Sequence, residues 1–117
     1  MRIVEHRQCP WAPGSAGQGS RIKAIADPTG QVAGLALHHQ ECEPGVGAAT
    51  HTHDFEELIT VVAGTAEVWL GEQRQVIGPG TTVFIPTGVA HGFVNVGDAL
   101  LQLQFVIAAS QLRATFL

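Results

Sequence analysis

Polar and apolar residues alternate along much of this chain with the two-residue period of strands that pack on one side only. The clearest run closes it: Leu101, Leu103, Phe105 and Ile107 share one face, Gln102 and Gln104 the other. The first set is expected in a core and the glutamines at solvent. With reversed parity the glutamines would line a cavity and contact a ligand. Arg21–Ala26 (RIKAIA) alternates in the same way. Further strands are expected at Arg2–His6, Gln31–Gln40, Leu58–Ala63, Thr65–Leu70, Gln73–Ile77, Thr81–Ile85, His91–Val96 and Leu100–Ile107. Between them stand turn signals: Asp27-Pro28-Thr29-Gly30 with Pro at the second turn position, Glu43-Pro44-Gly45, Gly64, Gly71-Glu72, Gly78-Pro79-Gly80, Pro86-Thr87-Gly88 and Gly97-Asp98. Short strands at such spacing predict an all-β sandwich or barrel of antiparallel pairs. Cys9–Ser20 reads as a loop, too rich in Pro and Gly for a helix, with Trp11 as its anchor. Only the tail, Ser110–Phe116, reads as a helical turn.

Composition narrows the picture. A chain of 117 residues makes one domain. Hydrophobic residues are 45% and charged residues 14%, which excludes disorder. The longest unbroken apolar run, Phe105–Ala109, falls far short of the ~20 residues of a membrane span. No charged segment followed by an apolar one opens the chain, so no signal peptide is expected and the cytoplasm is the expected location. Six Lys and Arg against ten Asp and Glu give a net charge of −4. So few cations cannot form the positive stripe that phosphate backbones require, so nucleic acid is not an expected partner. Cys9 and Cys42 fit no Cys-x-x-Cys pattern and read as reduced thiols. The absence of Tyr removes phenol-based acid–base chemistry.

The candidate chemistry lies in two short segments. His51 and His53 stand two residues apart within His51-Thr52-His53-Asp54-Phe55-Glu56-Glu57. On a strand this puts both imidazoles on one side, with Cα atoms about 6.6 Å apart, close enough to converge on one ion. Glu57 shares their parity, but a straight strand would hold it about 13 Å from His53. The chain must bend at Asp54-Phe55 for Glu57 to return on a neighbouring strand. His91 would close the set from a distant strand. Three neutral imidazoles and a carboxylate suit Fe, Mn, Ni, Zn, Co or Cu as a divalent ion and leave two of six positions for substrate or oxygen. Asp54, Glu56 and Glu57 also read as a solvated turn. His6, His38 and His39 sit in no patterned set and read as hydrogen-bonded structural residues.

These spacings carry a resemblance. Gly45-x5-His51-x-His53-x3-Glu57-x6-Gly64 and Gly80-x5-Pro86-x-Gly88-x2-His91-x3-Asn95 match, position for position, the two motifs of the cupin superfamily. The chain resembles a small single-domain cupin over 1–117, with core motifs at 45–95 and an N-terminal arm at 1–20. The resemblance implies a jelly-roll (double-stranded β-helix) barrel with a divalent metal inside, near one mouth, held by His51, His53, Glu57 and His91. Gly45, Gly64 and Gly80 fall at turns that need positive φ. Pro86 and Gly88 shape the bend that aims His91 inward, and Asn95 is expected to tie this bend through backbone hydrogen bonds.

Cupins host many chemistries, so three classes of function remain. The first, and favoured, is a metal-dependent enzyme on a small organic substrate, with dioxygenase-like oxidative cleavage ahead of Lewis-acid lyase or isomerase chemistry. Without Tyr, cupins that use a Cys–Tyr crosslink or a Tyr base are excluded as models. The base would be Glu57 leaving the metal or a hydroxide at the metal, ahead of His38 or His39. The second is a non-catalytic small-molecule binder, and the third a barrel that a metal merely stabilises. Arg21 and Lys23, the one close basic pair, read as an exposed strand face rather than as the mouth. Val61, Val83, Ile85, Phe93, Leu103 and Phe105 are the candidates for an apolar pocket or core. The resemblance further implies a homodimer, and the loop Cys9–Ser20 with Trp11 is free to reach a partner.

Overall fold

The computed structural model describes every residue except 2, 15–16 and 27–33. Its strands are β1 (Ala12–Pro13), β2 (Ser20–Ala26), β3 (Ala36–Cys42), β4 (Gly47–Thr52), β5 (Glu57–Ala63), β6 (Ala66–Leu70), β7 (Gln73–Ile77), β8 (Thr82–Ile85), β9 (His91–Asn95), β10 (Leu101–Ile107) and β11 (Thr115–Phe116). The one helical element among the described residues is a 3-10 turn at His6–Gln8. Two antiparallel sheets face each other, ordered β1-β2-β3-β10-β5-β8 and β11-β4-β9-β6-β7. The chain is all-β, as its periodicity predicts, and forms the jelly roll that the resemblance implies.

The alternation decides which faces meet. In β10, Leu101, Leu103, Phe105 and Ile107 are buried, and the residues between them are partly exposed. In β5 the same rule buries Glu57, Ile59 and Val61 and exposes Leu58 and Val62. Ile59, Val61, Leu101, Leu103 and Phe105 from these faces, with Ala66, Ile77, Ile85 and Phe93, form the main core, while Ile107 packs with Ala36 and Phe55 in a second, smaller cluster. Burying a side chain of this size contributes about 1.5–3 kcal/mol.

Gly45, Gly64 and Gly80 all have positive φ, at 81°, 89° and 80°. Gly64 has a second reason to be glycine, because a Cβ there would press on the Leu100–Leu101 backbone. Asn95 is structural, but at another corner than its motif suggests. Its Nδ2 donates to the carbonyls of Cys42 (3.0 Å) and Ala99 (2.8 Å), and its Oδ1 accepts from the Gly97 N–H (2.9 Å). Asn95 thus ties the end of β3 to the turn after β9, not the Pro86–Gly88 bend.

Four expectations change. Ile3–Glu5 form no strand, and β4 lies where no strand signal stood, in the small-residue stretch Gly47-Ala48-Ala49-Thr50. The tail is not helical: β11 pairs with β4, setting Thr115 against Thr52 and Phe116 against His51. The arm lies on its own barrel, with β1 paired to β2 and the Trp11 ring under Arg21 (4.0 Å) and Lys23 (4.5 Å). The predicted turn at Asp27–Gly30 and the start of the Gln31–Gln40 strand lie outside the described residues; the described strand begins at Ala36.

Candidate metal centre

His51 ends the inner face of β4, and the chain bends at Asp54-Phe55 before Glu57 opens β5. His91 opens β9 and pairs directly with His51 across β4 and β9. His51, His53, Glu57 and His91 are therefore brought together from three strands and one bend. All four are buried, at 7%, 6%, 4% and 1% exposure. One ring nitrogen from each histidine lies within 4.8 Å of the others. Glu57 Oε1 stands 3.2 Å from His91 Nε2 and 3.6 Å from His53 Nε2.

The other ring nitrogens determine what this cluster can do. His51 Nδ1 lies 2.6 Å from the Ala49 carbonyl, His53 Nδ1 2.6 Å from the Arg113 carbonyl, and His91 Nδ1 2.9 Å from the Val89 carbonyl. A carbonyl only accepts, so each Nδ1 carries the proton and each neutral ring keeps a lone pair on Nε2. Burial holds the His51 pKa below its ordinary value. The His91 and His53 rings push the same way; the bond to Ala49 and the charge of Glu57 oppose them. His91 Nε2 is buried and makes no hydrogen bond, although the Glu57 carboxylate lies beside it. Three inward-facing ring nitrogens beside a buried carboxylate are a set of donor atoms that a cation would satisfy. The backbone carbonyls supply the outer support that orients ligating imidazoles. The residues present fit a divalent metal.

A cavity of ≈ 180 Å³ opens onto this cluster. Its walls are Ala48, Ile59, Phe93 and Phe105 from the sheets, with Leu112 and Phe116 from the tail. Gln40 and Arg113 are the polar side chains that join the ligands there. Gln40 is anchored by its Nε2, which donates to Ser20 Oγ at 2.8 Å. Of the six pocket candidates, Phe93 and Phe105 line the cavity, whereas Val61, Ile85 and Leu103 fill the core. Val83 instead lines a cleft between β7 and β8.

The remaining polar candidates lie elsewhere. Asp54 and Glu56 are exposed. His38 is buried on β3 but does not line the cavity. His39 faces outward, edge-on to His6 with ring centroids 4.8 Å apart, and cannot serve as a base at the cluster. Arg21 pairs with Glu41 on the same outer face. The cation at the mouth is Arg113, which sequence reasoning did not find. Its signal was weak: a basic residue in a tail that also carries the apolar Leu112 and Phe116. Cys9 and Cys42 are both free; burial raises the Cys42 pKa.

Comparison with known proteins agrees with this architecture. The chain is 31% identical over 96 residues to protein SchB of Streptomyces halstedii, covering 80% of this chain and 69% of that one. It is also 31% identical over 96 residues to the xanthan biosynthesis protein XanB of Xanthomonas campestris pv. campestris, covering 82% of this chain but only 18% of that protein's length. Among solved structures, the polyketide cyclase RemF from Streptomyces resistomycificus superimposes with a TM-score of 0.85 at 21% identity, covering 100% of this chain and 85% of that one. An RmlC-like cupin from Shewanella frigidimarina gives 0.82 at 18% identity, covering 95% and 93%. The Cupin_2 family model, described as Cupin domain, matches residues 38–107, more than half of the chain, and the protein belongs to that family.

Proposed function

We propose that this cupin is a metal-dependent enzyme acting on a small, largely apolar molecule that carries a ketone or enol. The observation that carries the reading is the set of three imidazoles held through Nδ1 and one buried carboxylate, of which His51, His53 and Glu57 line an apolar cavity. His51, His53, Glu57 and His91 would hold the ion. When bound, it supplies Lewis acidity and, if redox-active, a route to dioxygen.

The walls choose the substrate class. A compact dianion would need cationic partners inside, and the one cation lining the cavity among the described residues, Arg113, is half exposed and already paired with Asp54. A neutral polycarbonyl compound matches Phe93, Phe105 and Ile59 better. The cavity is smaller than a typical ligand site of about 300–1,000 Å³, so it takes a small substrate or the reactive end of a larger one. Glu57 is the carboxylate among the lining residues, so Glu57, on leaving the ion, would be the base that accepts a proton from the carbon between two carbonyls. That carbon then bonds to a more distant carbonyl of the same molecule, whose oxygen takes up the proton, closing a ring without net oxidation. The likeness to a polyketide cyclase supports this order of preference. Oxidative cleavage is the second reading, favoured by a ligand set that leaves two of six coordination positions open.

The exposed strip Leu58, Val62 and Phe84, on paired strands β5 and β8, supports the expected homodimer. Among the described residues no helix is long and apolar enough to cross a membrane.

The test is turnover of 2,4-pentanedione and of a linear triketone by the metal-loaded protein, with oxygen uptake recorded. Ring closure or hydrogen–deuterium exchange at the central carbon without oxygen uptake is expected. Oxygen consumption would move the second reading to first place. Neither signal with any of iron, manganese, nickel, cobalt or zinc would overturn the enzyme reading.

A further inference from the structure

His53 differs from the other two histidines in how its tautomer is set. His51 and His91 rest on carbonyls two residues away in their own segments, those of Ala49 and Val89. His53 rests on the carbonyl of Arg113, sixty residues later in the chain. We propose that the tail at 112–117 is a working part of the metal centre, with Arg113 as a positioning residue that keeps His53 ready to bind an ion. This rests on the metal reading above.

Four contacts hold the tail in place. Arg113 Nε meets both Asp54 oxygens, at 3.0 and 3.2 Å. The Arg113 guanidinium lies 5.5 Å over the Phe55 ring, which stacks in turn on His53 (4.6 Å, 17°). Phe116 pairs with His51 in register, with ring centroids 5.2 Å apart. The Leu117 N–H donates to the Thr50 carbonyl at 3.1 Å. Leu112, Arg113 and Phe116 also close one side of the cavity. The same segment therefore shapes the mouth and fixes one ligand. A tail that lifts to admit a substrate removes the acceptor from His53 Nδ1. Free imidazole side chains favour the proton on Nε2, the atom that must stay unprotonated to bind metal. An open mouth and a weakened site are then one event.

The test compares the full chain, a truncation ending at Ser110, and the latch variants Arg113→Ala and Asp54→Ala. Long-range 1H–15N spectra of the metal-free proteins report the His53 tautomer directly. The full chain is expected to show the Nδ1–H form and the truncation a shift toward Nε2–H. Cobalt(II) affinity is expected to fall about 10–100-fold on truncation, the usual cost of losing an outer partner of a ligating histidine. The latch variants should lose less, with Arg113→Lys restoring part of it. A folded truncation with an unchanged tautomer and native cobalt affinity overturns the proposal. If the truncation does not fold, unchanged spectra and affinity in both latch variants overturn it. A full chain that takes up no cobalt defeats the metal reading instead, while the tautomer still judges the role of the tail.

Discussion

This molecule carries two groups of histidines opposite in environment. His51, His53 and His91 face inward; His6 and His39 meet on the outer surface of β3. Both groups place rings within 5 Å of each other. Only the inner group has each Nδ1 on a backbone carbonyl and a buried carboxylate opposite its Nε2 atoms. On the outside, His39 Nε2 meets the Gln104 amide (3.2 Å), and Lys23 Nζ donates to the His6 carbonyl (3.0 Å). Ring proximity alone does not make a metal site. The inner group is set apart instead by its Nδ1 contacts and its convergent carboxylate.

The sharpest way to break the contrast is to remove a ligand. His91→Ala is expected to lower affinity for cobalt or zinc by more than the ~100-fold that loss of an outer partner costs, measured by competition with a chelating dye. Asn95→Ala should do the reverse. It removes a 2%-exposed side chain with three hydrogen bonds but touches no ligand. It should lower unfolding stability by about 2 kcal/mol in urea, with metal affinity unchanged.

Acid should act on both groups in the metal-free protein. Folding lowers the pKa of His51, chiefly by burial, and of His39, chiefly by burial with His6 and Lys23 adding to it. The unfolded chain therefore takes up protons first as pH falls below about 6.5. Stability is full above that value, declines below it, and levels off once the folded-state values are passed. Urea midpoints between pH 8 and pH 5 check the direction. The smallest effect belongs to His6→Ala, which removes an exposed ring. It should shift stability by no more than about 0.5 kcal/mol and leave metal affinity alone.

Much of this contrast was legible in the sequence. The period of two in β10 and β5 placed the core, and the resemblance to the cupin motifs pointed to His51, His53, Glu57 and His91, which the fold brings together. The glycines at 45, 64 and 80 stood where the backbone turns left-handed. Other parts were not legible, for physical reasons. β4 opens with Gly47-Ala48-Ala49, and a Cβ at Gly47 would strike the Phe93 carbonyl, so its first half lacks the β-branched signature of a strand. The tail became a strand through pairing with β4, a tertiary choice that local propensity does not encode. His39 and His38 are neighbours in sequence yet face opposite sides of β3, and no pattern in the chain marked which side held the site.

The central claim is that the inner histidines with Glu57 form a metal centre and the outer pair does not. The direct measurement is the metal content, after purification without tag or chelator, of the native protein, His51→Ala/His91→Ala and His6→Ala/His39→Ala. The account predicts about one equivalent of a divalent transition metal in the native protein and in the outer double variant, and none in the inner one. A native protein that stays metal-free even after divalent ions are added, or an inner double variant that binds as the native protein does, would contradict it.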